Sequence, residues 1–447
     1  MSYPSADSMT PNTTAIHSHH KRIAAGALLI GVLTLVAKLF VAGREVAIAW
    51  RYGVSSTVDA YQLAITATTW VPMILAGVMT SVLVPRLVSL QRRGEDRQRF
   101  MAELNGSVLV LGIALTALTW LAAPYAATLL ASPANPKTLQ LTAELTAEMA
   151  PIALLMIMSG YFSARLQSRE RYGYSVTEAV PAFAIALFVV ASWAGADTWP
   201  LVVGTLVGYI LQVAVLGGLV ERGDRPLGRV RLRHRSDEWK TLRGSFLLMI
   251  LGQLLIATSI PTDQAFAARL GEGAVATLGY ANRIIGLFSG IGTIVVARAL
   301  LPVLSEAVAD GHLVLGQRHA SQWALLLGGA ATVGSAVVWV IAPDLVRIMF
   351  ERGAFTAEAS AEVTTVLRFG LLQLPFYFAG IALVQWISAS GRYGALFAIA
   401  FVALVVKIVM NLLLIHPFGL AGLMAATATM YAVSFLGQLA FVMRKND

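Results

Sequence analysis

Long apolar runs separated by short polar connections dominate the sequence. A membrane-spanning helix needs about 20 mostly apolar residues, and twelve runs are long enough to serve as one. The predicted helices lie near residues 23–50, 60–85, 105–125, 146–165, 178–195, 199–220, 245–269, 277–302, 320–342, 361–389, 394–415 and 419–442. The pattern therefore predicts an all-α, polytopic membrane protein.

A polar insert divides the predicted helices into two sets of six. The predicted domains are a cytoplasmic tail at 1–22, an N-lobe at 23–220, a basic cytoplasmic linker at 221–243, a C-lobe at 244–443 and a tail at 444–447. Three motifs recur between the lobes, at separations of 219, 217 and 221 residues: Ala123-Pro124 with Ala342-Pro343, Pro85 with Pro302, and Arg171-Tyr172-Gly173 with Arg392-Tyr393-Gly394. Because each copy has an even number of helices, both have the same orientation. This predicts a parallel repeat with a substrate site between the lobes.

Composition supports a membrane protein and narrows its function. Of 447 residues, 57% are hydrophobic and 13% are charged, whereas soluble domains average roughly 45–50% and about 25%. The chain has no Cys, which excludes disulfides, thiolate metal sites and thiol nucleophiles. The net charge is +9, and most Lys and Arg residues lie in the tails and in the even-numbered connections between helices. The odd-numbered connections hold only six Lys and Arg residues. The positive-inside rule then predicts that both termini are cytoplasmic, and it leaves no reason to expect nucleic acid as a partner.

Sequence motifs of enzymes are absent. The chain has no Gly-rich phosphate loop with a Lys, no HExxH and no Ser-centred elbow. The predicted extracytoplasmic connections are also too short to hold a catalytic domain. We expect a protein that is not an enzyme and that has no cofactor and no metal site.

Charged residues interrupt the apolar pattern at the start of the N-lobe and again in the eighth helix. Lys38, Arg44, Glu45 and Asp59 fall at or near membrane depth, and Arg283 is their counterpart in the other lobe by the repeat. Ionisable residues in a membrane helix usually face the bundle interior and mark a transport pathway. Arg binds phosphate bidentately and keeps its charge when desolvated. We therefore predict an anion site in which Lys38, Arg44 and Arg283 bind a diphosphate and Glu45 and Asp59 act as charge partners.

A second set of polar residues lies in the C-lobe. Asp263 is in the seventh helix, and Lys407 and Asn411 are one turn apart in the eleventh. An acid and an amide are suitable ligands for a coupling cation, but a neighbouring Lys argues against one. The hypothesis is that the Lys407 ammonium pairs with Asp263 and occupies the place of the ion.

The sequence resembles the lipid II flippase (MurJ/MviN) family of the multidrug/oligosaccharidyl-lipid/polysaccharide exporter superfamily, over almost the whole chain from about residue 23. The residues that carry the resemblance are Lys38, Arg44-Glu45, Asp59-Ala60-Tyr61, Val84-Pro85, Tyr280-Ala281-Asn282-Arg283, Leu301-Pro302, Arg352-Gly353-Ala354-Phe355-Thr356-Ala357-Glu358 and Leu374-Pro375-Phe376-Tyr377. The resemblance implies two six-helix lobes in a V, a central cationic cavity, and alternating access that moves an undecaprenyl-diphosphate glycan.

Three features depart from the family. Lys38 and Glu45 stand where Arg and Asp are usual, the arginine expected in the second helix is missing, and the length allows twelve helices where the family has fourteen. Lys407 also falls about where the family can place a sodium ligand.

The functional hypothesis is a flippase for an undecaprenyl-diphosphate-linked glycan, such as lipid II, in the bacterial inner membrane. Its partners would be the lipid-linked substrate, the bilayer and enzymes of envelope glycan synthesis, with coupling to the membrane potential or to a monovalent cation. Three alternatives stay open: a flippase for an exopolysaccharide or O-antigen repeat unit, a drug/cation antiporter of the same superfamily, and a non-transporting scaffold for envelope enzymes.

Overall fold

The structure is a computed structural model that describes most of the chain. The described residues are 36–90, 94–169, 171, 174–192, 197–224, 230–233, 236, 239, 249–255, 257–290 and 313–444. The tail at 1–22, much of the linker at 221–243 and residues 445–447 lie outside this set, as do Tyr172, Gly173 and Pro302 of the recurring motifs. The domain boundaries therefore stay predictions.

Nearly all described residues are helical. The helices are α1 (36–52), α2 (Ser56–Ser89), α3 (Gly94–Leu130), α4 (Pro136–Glu148), α5 (Ile152–Gln167), α6 (Tyr174–Thr177), α7 (Ala179–Ala191), α8 (Trp199–Asp224), α9 (249–255), α10 (Ser259–Ala267), α11 (274–290), α12 (Leu313–Phe350), α13 (Ala357–Leu371), α14 (Leu374–Ala389) and α15 (Tyr393–Met443). Helices α1–α8 belong to the N-lobe and α9–α15 to the C-lobe. The prediction of an all-α membrane protein with two six-helix lobes is confirmed.

Several predicted spans are broken or joined in the structure. Six of the described helices are long and apolar enough to cross a membrane, and a seventh span results if α4 and α5, which meet at 51°, are counted together. The predicted helix at 361–389 consists of α13 and α14, which together make one of these six spans. Conversely, α15 contains two predicted spans, which meet at Gly419, whose backbone is not helical (φ 54°). With α4–α5, α9–α10 and α13–α14 counted as one unit each, α15 as two and the four-residue α6 left out, the described helices form six units in each lobe.

One helix was missed by the hydrophobic pattern. The connection before the fourth predicted span contains α4, which is poorly apolar and therefore gave no membrane signal. Its start does have a local signature: Pro136 occupies the first turn, and the Asn135 side chain accepts a hydrogen bond from the Thr138 N–H at 3.2 Å.

The hydrophobic core is shared between the lobes at one end of the molecule and separate at the other. The shared cluster includes Tyr52 and Tyr61 of the N-lobe with Tyr280, Phe350 and Phe355 of the C-lobe. A second cluster, from Met79 to Val220, lies within the N-lobe. A third, from Ala320 to Val442, lies within the C-lobe. The lobes are thus packed together beside the α1–α2 turn and have independent cores at the opposite end.

Candidate functional site

A cavity of about 480 Å³ lies between the two lobes. Helices α1 and α2 line it on the N-lobe side, and α10, α11 and α15 line it on the C-lobe side. Its wall contains five of the predicted charged residues: Arg44, Glu45, Arg283, Asp263 and Lys407. The cavity is therefore an interlobe cavity with charged groups on both walls, as expected of a substrate site between repeats.

Three of these charges form a contiguous group, which we call the arginine cluster. Arg44 Nε donates to Glu45 Oε1 at 3.1 Å, and Arg283 Nε lies 3.1 Å from the same oxygen. The Glu45 side chain is 5% exposed, whereas those of Arg44 and Arg283 are 18% and 47% exposed. Two cations and one carboxylate leave the cluster with a net charge of +1. One carboxylate oxygen thus joins arginines from opposite lobes and leaves part of their charge facing the cavity.

Asp59 is not part of the arginine cluster. Its two carboxylate oxygens accept hydrogen bonds from the Gly273 N–H at 2.6 Å and the Ala276 N–H at 2.7 Å. These are free N–H groups at the start of α11, where a carboxylate also meets the positive end of the helix dipole. Asp59 is only 2% exposed. Its role as a charge partner of the cavity cations stays a prediction, and the hydrogen bonds to the α11 backbone do not support that role. Asp59 caps a helix of the other lobe.

Further contacts near Asp59 join the lobes in the same region, and we call the whole set the latch. The Ala354 N–H donates to the Trp50 carbonyl at 2.8 Å, and the Tyr280 hydroxyl donates to the Gly53 carbonyl at 2.9 Å. Glu272 accepts from the Ser56 N–H at 3.2 Å. The latch therefore closes the end of the cavity beside the α1–α2 turn.

Two glycines allow the backbones to approach closely in the latch. Gly53 has φ 56°, and a Cβ there would lie 2.3 Å from the Ala354 oxygen. Gly353 has φ 64°, and a Cβ there would lie 2.2 Å from the Trp50 oxygen. Neither distance is sterically possible, and a positive φ is itself costly for other residues. The segment Arg352–Glu358, one of the stretches that carry the family resemblance, thus contacts the other lobe through Gly353 and Ala354.

Lys38 lies apart from the arginine cluster. It is six residues before Arg44, or about 9 Å along a helix, and it does not line the described cavity wall. Its Cε lies against α11, 3.7 Å from where a Cβ of Gly290 would be. The structure therefore brings Arg44 and Arg283 together and leaves Lys38 at another part of the lobe boundary.

The second polar set forms a compact group within the C-lobe, which we call the lysine site. Lys407 Nζ donates to Asp263 Oδ2 at 2.7 Å and also to the Ser259 hydroxyl. Asn411 Nδ2 donates to Asp263 Oδ1 at 3.1 Å, and the Thr427 hydroxyl to Asp263 Oδ2 at 3.4 Å. Lys407 and Asn411 are fully buried. An ammonium thus sits among oxygen atoms of the kind that bind small cations.

Sequence reasoning missed several residues of these groups. Ser259 is four residues before Asp263 and shares its helix face, a spacing that could have identified it. Glu272 and the backbone donors at Gly273 and Ala276 left no comparable signal. Among the described residues, no cluster of three or more His, Cys, Asp or Glu side chains could hold a metal ion.

The fold and the site together define the class: a two-lobed helical membrane protein with a charged cavity between its lobes. The solved inward-facing conformation of a multidrug resistance MATE family transporter of the MOP superfamily matches with a TM-score of 0.74 at 14% identity, over 94% of this chain and 97% of the other. A lipid II flippase MurJ in an inward closed conformation matches with a TM-score of 0.79 at 19% identity, over 93% and 87%. At such identities the likeness concerns the fold.

The family follows from the sequence match. The model described as "Lipid II flippase MurJ" matches residues 48–447, and the chain belongs to that family. A protein from Rhizobium tropici named "Probable lipid II flippase MurJ" is 26% identical over 367 residues, which cover 78% of this chain and 68% of the relative. The resemblance predicted from the charged positions is confirmed.

Proposed function

We propose that this protein moves an undecaprenyl-diphosphate-linked glycan of the lipid II type across the bacterial inner membrane by alternating access. Membership of the MurJ family supports this substrate over an exopolysaccharide unit or a drug cation. The cation-bearing cavity supports an anionic ligand, since a cavity for drug cations would need acidic walls. The family is one of transporters, so we propose no catalytic step.

The observation that carries the proposal is the shared Glu45 oxygen in the arginine cluster. Arg44 and Arg283 come from opposite lobes, and one carboxylate holds both at 3.1 Å. A diphosphate offers more charge and more acceptor oxygens than Glu45, and arginine binds it through two parallel hydrogen bonds. A bound diphosphate would therefore hold both lobes through their cations, while Glu45 competes for the same guanidinium groups and favours later release.

The latch supports an order of events. It closes one end of the cavity, while the lobes have separate cores at the other end. The distribution of Lys and Arg along the chain would put the α1–α2 turn on the outer face and both termini in the cytoplasm. We infer that substrate enters from the cytoplasmic side and that the latch must open before it leaves. A bound ligand drives this change only by favouring one state over the other.

Complementation tests the proposal directly. In a strain depleted of its own lipid II flippase, the unaltered protein should restore growth, and Arg44→Ala and Arg283→Ala should each abolish that rescue. Arg347→Ala is a matched control, because Arg347 is 72% exposed and pairs only loosely with Glu351 at 3.9 Å. All variants should be compared at equal amounts in the membrane.

The outcomes separate the alternatives. Rescue by the unaltered chain with loss in both cavity variants supports a lipid II-type substrate. Retained rescue by both cavity variants would contradict the cavity mechanism and favour a scaffold. Failure of the unaltered chain to rescue growth, at normal membrane levels, would contradict lipid II as the substrate.

The lysine site supports a second part of the proposal, that the Lys407 ammonium replaces a mobile coupling cation. Lys407 is fully buried and pairs with Asp263, and Asn411 Oδ1 is buried with no hydrogen-bond partner among the described residues. Carboxylate, hydroxyl and amide oxygens already surround the charge. Coupling to the membrane potential then needs no ion at this position.

Sodium dependence tests this part independently. Transport by the unaltered protein should be the same in sodium and in choline medium. In Lys407→Met, Asp263 loses its cation, so sodium should raise the thermal midpoint of this variant and leave that of the unaltered protein unchanged. Sodium-stimulated transport by the unaltered protein would contradict a tethered ammonium in this role.

A further inference from the structure

A hydrogen bond between the lobes lies on the opposite side of the arginine cluster from the latch. The indole N–H of Trp70, on α2, donates to the Ala257 carbonyl, between α9 and α10, at 3.1 Å. Both residues line the interlobe cavity. Helices α2 and α11 both start at the latch. Trp70 is 14 residues beyond the start of α2, or about 21 Å from the latch along the helix axis, whereas Arg283 is nine residues beyond the start of α11, or about 14 Å from the latch. Trp70 is therefore farther from the latch than the arginine cluster is.

The Ala257 carbonyl is available because of a proline. In a helix, this oxygen would accept a hydrogen bond from the N–H of residue 261, four positions later. Residue 261 is Pro, which has no N–H, and its ring also pushes against the carbonyl four residues before it. The hydrogen bonds on either side are intact, from Thr258 N to Leu254 O and from Thr262 N to Thr258 O. Pro261 therefore exposes one carbonyl, which the indole of the other lobe satisfies.

The lobes stay in contact beyond this hydrogen bond. Gly77 is two turns after Trp70 on the same face of α2, and Gln253 is one turn before Ala257. A Cβ at Gly77 would lie 3.4 Å from Gln253 Nε2. Helices α2 and α9 thus approach each other along one line of contacts, and Trp70 supplies the directional hydrogen bond within it.

The geometry points to Trp70 and Pro261 as a gate that holds the lobes together on the side of the cavity opposite the latch. This inference rests on the proposed function only in naming what the gate admits, which would be the lipid-linked substrate. Release of the indole leaves the Ala257 oxygen without its donor, so opening is opposed by one interlobe hydrogen bond. A neutral hydrogen bond of this kind changes an equilibrium by about threefold to tenfold. The gate is thus weak enough to open often.

A cross-linking assay tests the gate without substrate. The chain has no Cys, so Gly77→Cys with Gln253→Cys introduces the only pair, and a short bifunctional thiol reagent on membrane vesicles reports the closed fraction. In this background, Trp70→Phe keeps the ring and removes the donor. Pro261→Ala restores the backbone N–H and so satisfies Ala257 within its own helix. Each change should shift the lobes about threefold to tenfold towards the separated state.

The double variant is the decisive measurement. If the indole acts through the carbonyl that Pro261 exposes, Trp70→Phe should have no further effect when Pro261→Ala is present. Trp120→Phe is the control, because Trp120 lies on α3 and is 60% exposed on the outer surface. Additive effects, or an unchanged closed fraction in Trp70→Phe, would overturn the gate. If Pro261→Ala does not fold, the Trp70→Phe result alone decides. Growth complementation is a separate readout, so a failed gate would leave the proposed flippase function untouched.

Discussion

The two charged groups of the interlobe cavity differ in burial, in net charge and in the lobes that they join. The arginine cluster links the N-lobe to the C-lobe, has a net charge of +1 and leaves the Arg283 side chain 47% exposed. The lysine site lies wholly within the C-lobe, pairs one cation with one anion and leaves Lys407 with no exposure. Buried charges are tolerated when they are paired and hydrogen-bonded, whereas exposed excess charge is free to attract a ligand.

This difference suits the arginine cluster to binding a substrate and the lysine site to stabilising the C-lobe. The arginine cluster has charge left over for a substrate and changes its environment whenever the lobes move. The lysine site has its charge satisfied inside one lobe, and rigid movement of that lobe does not alter it. Variants at the first group should therefore affect transport more than stability, and variants at the second should do the reverse.

The largest effect on stability is expected from Asp263→Asn. This change leaves the Lys407 ammonium buried without a counter-charge, and loss of one partner of a buried ion pair costs about 3–5 kcal/mol. Thermal unfolding in lipid nanodiscs should show a much lower midpoint. The double variant Asp263→Asn with Lys407→Met removes both charges and should recover a large part of the loss. A single variant as stable as the unaltered protein would contradict a charged, buried pair.

Glu45→Gln should have a smaller effect on stability and a different effect on function. The two arginines are partly exposed, so the lost charged hydrogen bonds cost about 1.5–3 kcal/mol at most. Without the competing carboxylate, the cations should hold a diphosphate more tightly and release it more slowly. We expect slower transport with equal or stronger binding of a soluble diphosphate. Weaker binding in this variant would show that Glu45 positions the arginines and does not compete with the ligand.

The sequence was sufficient to predict the parts of the site that depend on side-chain identity. The repeat predicted that Arg44 and Arg283 lie on opposite walls, and helical spacing grouped Lys407 with Asn411; the structure brings each pair together. The sequence did not predict contacts in which one partner is a backbone group. Asp59 binds N–H groups 214 and 217 positions away, and every residue except Pro has such a group. The acceptor of Trp70 is likewise a carbonyl that only the fold brings into reach.

The fold, like the site, was predicted where the local sequence determines it and missed where contacts between helices determine it. Apolar length predicted the helices because a bilayer requires about 20 apolar residues at each crossing, and the polar insert and the recurring motifs predicted their division into two lobes. Apolar length failed at α4, which is too polar to give a signal, and it gave no sign that α4 and α5 meet at 51°. Burial and helix breaks depend on neighbouring helices, and the local pattern contains no record of them.

The smallest effect is expected from Thr427→Val in the lysine site. The Thr427 hydroxyl is 3.4 Å from Asp263 Oδ2 and also donates to the Leu423 carbonyl at 3.1 Å. Valine has nearly the same shape, so the packing should be kept and only a long hydrogen bond lost, at about 0.5–1.5 kcal/mol. The thermal midpoint should fall slightly and transport should stay unchanged. A strong loss of transport with normal stability would mean that the lysine site changes during the cycle, and the contrast with the arginine cluster would no longer hold.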